Sequence, residues 1–266
     1  MNSLLFADAA SYRRAVVLLS TVGGIMALSV VVFACKCVLT GRIRDAEIDR
    51  RGSSVLLGNL ARTYFAWAMG PIVGLLGRLG ATPNGITIAS VVPAALAGLA
   101  AGCGEFTSAG LLFLLSGACD FLDGRLARET GRSSAGGAAL DSVLDRYSEC
   151  ALLVGIAWYY RDGWVLLAAL GAITGSLFVP YIRARGEGLG IDVKVGLMQR
   201  PERVVLLGAA TLSAEIVDHL AGWTDRSPRY LLVAAALTLL TVSTHVTALV
   251  RLRHVVRTLD ARTPPT

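Results

Sequence analysis

Charged residues are scarce in this sequence: Asp, Glu, Lys and Arg make up 17% of its 266 residues, against about 25% in an average soluble domain. Hydrophobic residues make up 54%, and they are concentrated in long apolar runs separated by short charged segments. This pattern argues against a soluble globular domain. It predicts an all-α protein whose helices form a polytopic bundle in a lipid bilayer.

Paired cysteine motifs are also absent. None of the five cysteines belongs to a Cys-x-x-C pair, and no histidine lies at metal-ligand spacing from them. All of them lie in or beside apolar segments, where cysteine behaves as a small hydrophobic residue. We therefore expect neither a disulfide nor a zinc site.

The net charge of +6 does not indicate a nucleic-acid partner, because the arginines cluster at the ends of the apolar segments. Positive charge next to membrane spans marks the cytoplasmic side. The clusters that fall on one side of the predicted topology are Arg42 to Arg51, Arg125 to Arg132, Arg183 to Arg203 and Arg251 to Arg257. We expect that side to be cytoplasmic and the N-terminus to lie outside.

The N-terminal part of the chain predicts an extra helix. Residues 1–14 are expected to be a solvated tail, and residues 15–35 are long enough to span the bilayer. A signal peptide is the alternative, but the run is long for one and lacks a convincing cleavage site, which favours a retained helix. A charged segment at 42–51 follows, and then a helix at 55–79 that is expected to lie in the membrane interface, with a second full span as the alternative. We predict a boundary between an N-terminal region, 1–54, and a membrane domain, 55–260.

The rest of the chain predicts six further helices. Pro83 is placed where the first turn of a helix tolerates proline. The predicted spans are 83–102, 107–127, 137–160, 163–184, 203–222 and 229–250. With the N-terminal run, the sequence contains about seven membrane spans.

Four carboxylates lie within otherwise apolar segments between Asp120 and Asp145. Asp120 and Asp123 are spaced i, i+3, and Asp141 and Asp145 are spaced i, i+4, so each pair lies on one face of its helix. A short loop joins the two helices and brings both pairs to the same end. Like charges so close disfavour each other's ionisation unless cations are present. Carboxylate oxygens suit Mg²⁺ or Mn²⁺, and Mg²⁺ keeps positions open for phosphates, so a diphosphate substrate is expected.

Small residues and one arginine accompany these acids. Gly124 and Ala127 allow a ligand to approach the backbone, Arg128 offers a planar fork to phosphate, and Ser134 can donate from the loop. Close packing between helices is the alternative explanation for Gly124 and Gly137, and the two explanations are compatible.

These residues resemble the signature of the CDP-alcohol phosphotransferase family. The match extends over Asp120-x2-Asp123-Gly124-x2-Ala127-Arg128-x8-Gly137-x3-Asp141-x3-Asp145. The resemblance covers about residues 60–250, excludes the first apolar run, and implies a six-helix core preceded by an interfacial helix. Thr82-Pro83-Asn84 is similar to the family's segment that opens the first core helix and lines the nucleotide site.

The resemblance implies that a hydroxyl attacks the lipid-bearing phosphate of a CDP-linked lipid, such as CDP-diacylglycerol, and releases CMP. It implies that Asp120, Asp123, Asp141 and Asp145 hold Mg²⁺ or Mn²⁺, as two ions, and that Asp145 is the general base. It further implies a homodimer in the bilayer. The expected contacts of the CDP-lipid are Pro83, Asn84, Thr87, Gly124, Ala127, Arg128, Ser134 and Gly137.

The acceptor alcohol is expected to bind an arginine-rich region that follows the acidic hairpin. Its candidate phosphate ligands are Arg183, Arg185, Arg200 and Arg203. Alternatively, these arginines set the orientation in the membrane and pair with Glu187 and Glu202. The pattern resembles the phosphatidylinositol-phosphate synthase branch, which implies an inositol phosphate acceptor. Arg183 stands where that branch often has lysine, so glycerol 3-phosphate or another alcohol stays open.

A function of another class is a cation transporter that uses the four acids as its ion path. It accounts for carboxylates at membrane depth. It does not account for the spacing of Gly124, Ala127 and Arg128 beside them. Phosphatidyl transfer therefore explains more of the pattern.

Overall fold

The computed structural model describes residues 2–41, 59–193, 195–196, 198–223 and 227–262. Within these ranges the chain is helical, without β-strands, which confirms the predicted all-α fold class. The described helices are α1 (Asn2–Thr40), α2 (Asn59–Arg78), α3 (Pro83–Gly102), α4 (Phe106–Glu129), α5 (Ala135–Tyr159), α6 (Val165–Gly188), α7 (Arg200–Leu220) and α8 (Leu231–Asp260).

Five helices in the described part of the chain are long and apolar enough to cross a membrane, namely α1 from Tyr12 onwards, α3, α4, α6 and α8. The protein is therefore an integral membrane protein. Helices α5 and α7 have 25 and 21 residues, which is a spanning length, but both carry several ionisable side chains. The expected total of seven spans stays a prediction.

Helix α1 is longer than the sequence analysis predicted. It begins at Asn2, so residues 2–14 are helical, and their exposure to solvent stays a prediction. These residues contain no proline or glycine, and their leucines and alanines favour the helical state. The apolar span and the residues before it therefore form one continuous helix.

Aromatic side chains connect α1 to α2. The ring of Phe33 lies 5.4 Å from that of Tyr64 and 5.2 Å from that of Trp67, measured between centroids. Phe33 is buried, whereas most of the apolar surface of α1 is exposed. Helix α1 thus contacts α2 through a small aromatic cluster.

Helix α2 packs in turn against α4, which carries the first pair of acids. The rings of Phe65 and Phe121 are 4.9 Å apart, edge to face. The guanidinium of Arg125 donates a hydrogen bond of 2.9 Å to the carbonyl oxygen of Ala66. Helix α2 is not among the apolar candidate spans of the described residues, and its position in the membrane interface stays a prediction.

The chain divides into two compact units. The first unit contains residues 1–92 and 115–145, and the second contains residues 93–114 and 146–266. The charged segment 42–51, the predicted boundary between residues 54 and 55, and the first residues of the predicted interfacial helix, 55–58, lie outside the described residues. The division into 1–54 and 55–260 stays a prediction.

Close backbone contact joins α3 to α5 within the second unit. A Cβ atom at Gly98 would overlap the carbonyl oxygen of Ala151, and one at Gly155 would overlap the carbonyl oxygen of Gly98. Small residues permit this approach, which is typical of helix pairs in membranes. The contact holds the second half of α5 against α3 within this unit.

Candidate active site

The turn between α4 and α5 is built by its own sequence. Helix α4 ends at Glu129, and Gly131 beyond it has a φ of +66°, a conformation that glycine adopts without strain. The amide of Arg132 donates to the carbonyl oxygen of Ala127 at 2.8 Å, which is the hydrogen bond of a Schellman cap. Ser134 then caps α5, since its hydroxyl oxygen accepts the amide of Gly137 at 3.0 Å. The two helices are therefore held in a tight hairpin.

This hairpin brings three carboxylates together. One oxygen each from Asp120, Asp141 and Asp145 lies within 4.8 Å of the other two. Three oxygen ligands of negative charge suit a hard divalent cation such as Mg²⁺ or Mn²⁺. We call these three residues the acidic cluster; their donor chemistry and spacing fit the metal that the sequence analysis expects.

Asp123 has a different environment. It is buried, with 3% of its surface exposed, and it accepts a hydrogen bond of 2.5 Å from the hydroxyl of Thr87 on α3. Residues three apart on a helix point about 60° apart, which separates Asp123 from Asp120. The structure places Asp123 beside the acidic cluster, and its role as a fourth ligand stays a prediction.

Three of the residues predicted to contact the nucleotide lie together. A Cβ atom at Gly137 would lie 3.0 Å from Oδ1 of Asn84 and 3.1 Å from Oγ of Ser134. Pro83 is the first residue of α3, and the hydroxyl oxygen of Thr82 before it caps that helix by accepting the amide of Gly85 at 3.2 Å. Glycine at 137 thus keeps the space between two polar side chains open.

Arg128 lies against Gly124. A Cβ atom at Gly124 would be 3.2 Å from Nη1 of Arg128. A side chain at 124 would therefore displace the guanidinium. The neighbour of Gly124 is thus a cation of the same helix and not the surface of another helix.

The predicted acceptor arginines fall into two groups. Arg183 pairs with Glu187 at 2.8 Å, and both side chains are about half exposed, as the alternative interpretation expected. Arg185 is exposed in the last turn of α6, and Arg200 is the first residue of α7. Phosphate binding by these arginines stays a prediction.

Arg203 has a partner that the sequence analysis did not identify. Its Nε donates to Oε1 of Glu149 at 2.6 Å and its Nη2 to Oε2 at 2.8 Å, with both side chains 5% exposed. The expected pairing with the adjacent Glu202 does not account for this guanidinium. Arg203 is therefore part of a buried, two-pronged ion pair between α7 and α5.

Sequence reasoning also missed Arg251. This buried arginine of α8 donates to the carbonyl oxygens of Val195 and Val179, both at 2.8 Å, and the charges of Arg183, Arg203 and Glu187 act on it. Its position within an apolar helix was the available signal, because a charge at membrane depth is a default candidate for function. The second unit thus groups Arg183, Arg203 and Arg251, which we call the arginine cluster.

Comparison with known proteins places this geometry in a family. The sequence model described as CDP-alcohol phosphatidyltransferase matches residues 81–252. The phosphatidylinositol phosphate synthase of Mycobacteroides abscessus is 32% identical over 160 residues, which are 58% of this chain and 73% of that protein. The archaetidylinositol phosphate synthase of Aeropyrum pernix is 39% identical over 151 residues, with 56% and 76% covered.

Solved structures that resemble this chain belong to phosphatidylinositol phosphate synthases as well. The phosphatidylinositol phosphate synthase of Mycobacterium tuberculosis, in complex with manganese and citrate, matches with a TM-score of 0.61 and 27% identity over 70% of this chain and 87% of the solved one. Its form with CDP-DAG bound matches with a TM-score of 0.61 and 28% identity over 70% and 92%. Because the family model covers more than half of the sequence, and the signature acids converge on one hairpin, the chain belongs to the CDP-alcohol phosphatidyltransferase family.

Proposed function

We propose that the protein transfers the phosphatidyl group of CDP-diacylglycerol to a hydroxyl of inositol phosphate and releases CMP. The observation that carries this proposal is the acidic cluster, in which three signature aspartates lie within 4.8 Å of one another. The solved relative with CDP-DAG bound supports the choice of lipid substrate.

Asp120, Asp141 and Asp145 would hold Mg²⁺ or Mn²⁺, as two ions, with Asp123 as a further ligand beside them. The relative in complex with manganese supports this assignment. When bound there, the metal would supply positive charge that neutralises the diphosphate and stabilises the leaving CMP. The hydrogen bond from Thr87 to Asp123 orients that carboxylate next to the acidic cluster.

Asp145 is the proposed general base. The acceptor hydroxyl transfers its proton to the carboxylate of Asp145 as its oxygen bonds to the lipid-bearing phosphorus. The bond from that phosphorus to the oxygen of the CMP phosphate breaks, and CMP leaves with the bonding electrons. A positioned base of this kind contributes about 10²–10⁴-fold to the rate.

The CDP portion is expected to bind where α3 meets the start of α5. Asn84, Ser134 and Gly137 lie together there, and the two polar side chains would form hydrogen bonds with the CDP portion. The remaining proposed contacts are Pro83, Thr87, Gly124, Ala127 and Arg128. Arg128 would supply a bidentate cation for phosphate.

The names of the relatives favour inositol phosphate as the acceptor. The two synthases differ in the lipid that they are named for, phosphatidyl in one and archaetidyl in the other, but both are named for inositol phosphate. Arg183, Arg185, Arg200 and Arg203 are the proposed ligands of the acceptor phosphate. Glycerol 3-phosphate is the alternative acceptor, and membership of a transferase family favours either reaction over cation transport.

The proposed setting is the cell membrane, with the site at the cytoplasmic leaflet and the chain as a homodimer. Arginines next to the apolar segments support this orientation, and the family resemblance supports the dimer. The proposed division is an N-terminal region, 1–54, before a catalytic membrane domain, 55–260. Cysteine labelling from either side of a vesicle and the mass of the detergent-solubilised protein test the orientation and the dimer.

The decisive experiment measures CMP release by purified protein from CDP-diacylglycerol. Inositol phosphate, glycerol 3-phosphate, serine and free inositol are supplied one at a time, with Mg²⁺, with Mn²⁺ or with a chelator. We expect release with inositol phosphate and either metal, and none with the chelator. If only glycerol 3-phosphate supports CMP release, it is the acceptor instead of inositol phosphate. Release with none of the four would contradict the proposed function.

A further inference from the structure

The second unit contains a glutamate that the proposed reaction does not use. Glu149 on α5 accepts two hydrogen bonds from Arg203, of 2.6 and 2.8 Å, and both side chains are 5% exposed. A bidentate pair fixes the plane of the guanidinium as well as its position. Glu149 thus determines the direction in which Arg203 faces.

A third helix fixes the carboxylate of Glu149 itself. The hydroxyl of Ser176 on α6 donates to Oε1 of Glu149 at 2.9 Å. Rotation of the carboxylate would break this bond as well as the ion pair. Side chains from α5, α6 and α7 therefore meet at Glu149 and hold Arg203 in one orientation.

Stability alone does not explain this arrangement. A buried ion pair loses in desolvation much of what it gains in attraction, and apolar residues of similar size often replace it without loss. What the pair retains, and apolar residues would not, is a cation of fixed direction. Nη1 of Arg203 is 3.5 Å from the carbonyl oxygen of Met198, a long contact that leaves this nitrogen able to form a stronger one.

The neighbours of Arg203 point to an anion. The charges of Arg183, Arg203 and Glu187 all act on Arg251, and the carbonyl oxygens of Val195 and Val179 hold Arg251 in place. Glu149 pairs with Arg203 and Glu187 pairs with Arg183, so the three guanidiniums and two carboxylates leave one positive charge that an anion can compensate. A phosphate group suits this need, because its oxygens accept hydrogen bonds from several guanidiniums.

We propose that Glu149 is a positioning residue for the acceptor: it orients Arg203 so that the arginine cluster receives the phosphate of the acceptor alcohol. The proposal rests on the proposed function and assigns Glu149 no contact with the substrate. Removing its charge should therefore weaken acceptor binding while leaving recognition of the CDP-lipid intact.

The test compares Glu149→Gln with the wild type and with Glu215→Gln. Glu215 is a buried glutamate of the same unit that accepts the backbone amide of Thr107, a bond that glutamine can also accept. We expect Glu149→Gln to raise the KM for inositol phosphate about tenfold, with the KM for CDP-diacylglycerol within about twofold, since a tenfold change corresponds to one charge-assisted bond. Glu215→Gln should change neither. Equal changes in both KM values for Glu149→Gln would overturn the proposal.

Two further variants keep the proposal testable if Glu149→Gln does not fold. Ser176→Ala removes only the third bond to the carboxylate, and Arg203→Lys keeps the charge without the fork. Both should raise the acceptor KM and spare the CDP-lipid KM, and combining Arg203→Lys with Glu149→Gln should add little. An unchanged acceptor KM in both single variants would overturn the proposal.

A binding measurement separates this proposal from the proposed function. Inositol phosphate should raise the melting temperature of the wild type and raise that of Glu149→Gln or Arg203→Lys far less. If the wild type releases no CMP, the proposed function fails, and a difference in this rise still supports the role of Glu149. Equal rises, or none in the wild type, would overturn that role.

Discussion

In the first unit, Asp120, Asp141 and Asp145 hold three carboxylates within 4.8 Å of one another, whereas in the second unit the buried cation of Arg203 lies directly against Glu149. Carboxylates this close repel each other, which favours the binding of cations. A buried pair of opposite charges instead satisfies and orients its members. Changes in the first unit should therefore alter the chemical step and the nucleotide, and changes in the second should alter the acceptor.

The largest effect is expected from Asp145→Asn. The amide cannot accept the proton of the attacking hydroxyl, so CMP release should fall by about 10²–10⁴-fold, with the protein still folded. The matched control is Asp162→Asn, an exposed aspartate that pairs with its neighbour Arg161. The measurement compares rates of CMP release at saturating substrates. Full activity of Asp145→Asn would contradict the assignment of Asp145 as the base.

A smaller effect, on the acceptor alone, is expected from Arg200→Ala. The loss of one charge-assisted contact with phosphate costs about 1.5–3 kcal/mol, so the KM for inositol phosphate should rise about 10- to 100-fold. Arg253→Ala, at an exposed position of α8, controls for the loss of one positive charge. Equal changes in the KM values of acceptor and CDP-lipid would favour a role of Arg200 in membrane orientation only.

A still smaller effect, on the binding of the nucleotide, is expected from Gly137→Ala. The added Cβ would lie 3.0 Å from Asn84 and 3.1 Å from Ser134, and so would displace two proposed contacts of the CDP-lipid. Its neighbour Gly136 has nothing within 4 Å of such an atom, so Gly136→Ala is the matched control. We expect Gly137→Ala to raise the KM for CDP-diacylglycerol about tenfold and the control to leave it unchanged. A similar KM for both variants would contradict the assignment of the nucleotide site to Gly137.

The smallest effect on turnover is expected from Phe33→Ala at the contact of α1 with α2. In a bilayer the apolar side chain gains little from burial against another helix, but the ring contacts with Tyr64 and Trp67 contribute about 0.5–1.5 kcal/mol. The melting temperature in detergent should fall, with CMP release within about twofold. Leu28→Ala, on the exposed surface of α1, should leave the melting temperature unchanged. A loss of turnover as large as that of Asp145→Asn would give α1 a direct role in the reaction.

Much of the fold could be predicted because apolar length and helix signals are local. Helix α3 begins at Pro83 and ends at Gly102 as predicted, since proline and the glycine-containing turn mark its ends. The start of α1 could not be placed, because polar residues within a helix and in a tail have similar compositions. The C-terminal end of α8 was missed for the same reason, as this helix continues beyond the apolar run at 229–250 to Asp260.

The candidate site was predictable as far as its spacing allows. Spacings of i, i+3 and i, i+4 place each pair of acids on one helix face, whichever bundle surrounds them. The partner of Arg203 was not predictable, because Glu149 is 54 residues away in sequence. From the sequence alone, the adjacent Glu202 was the more obvious partner for Arg203. Only the packing of α5 against α7 shows that the partner is Glu149.

The sequence by itself determined the helices, the hairpin turn at Gly131 and the order of the four aspartates, since each depends on local backbone geometry and on spacing along one helix. The tertiary structure decided which side chains meet across helices: it groups Asp120 with Asp141 and Asp145, turns Asp123 to Thr87 and joins Glu149 to Arg203. Such contacts depend on how helix faces are rotated against each other. That rotation is set by the packing of the whole bundle, which no single segment encodes.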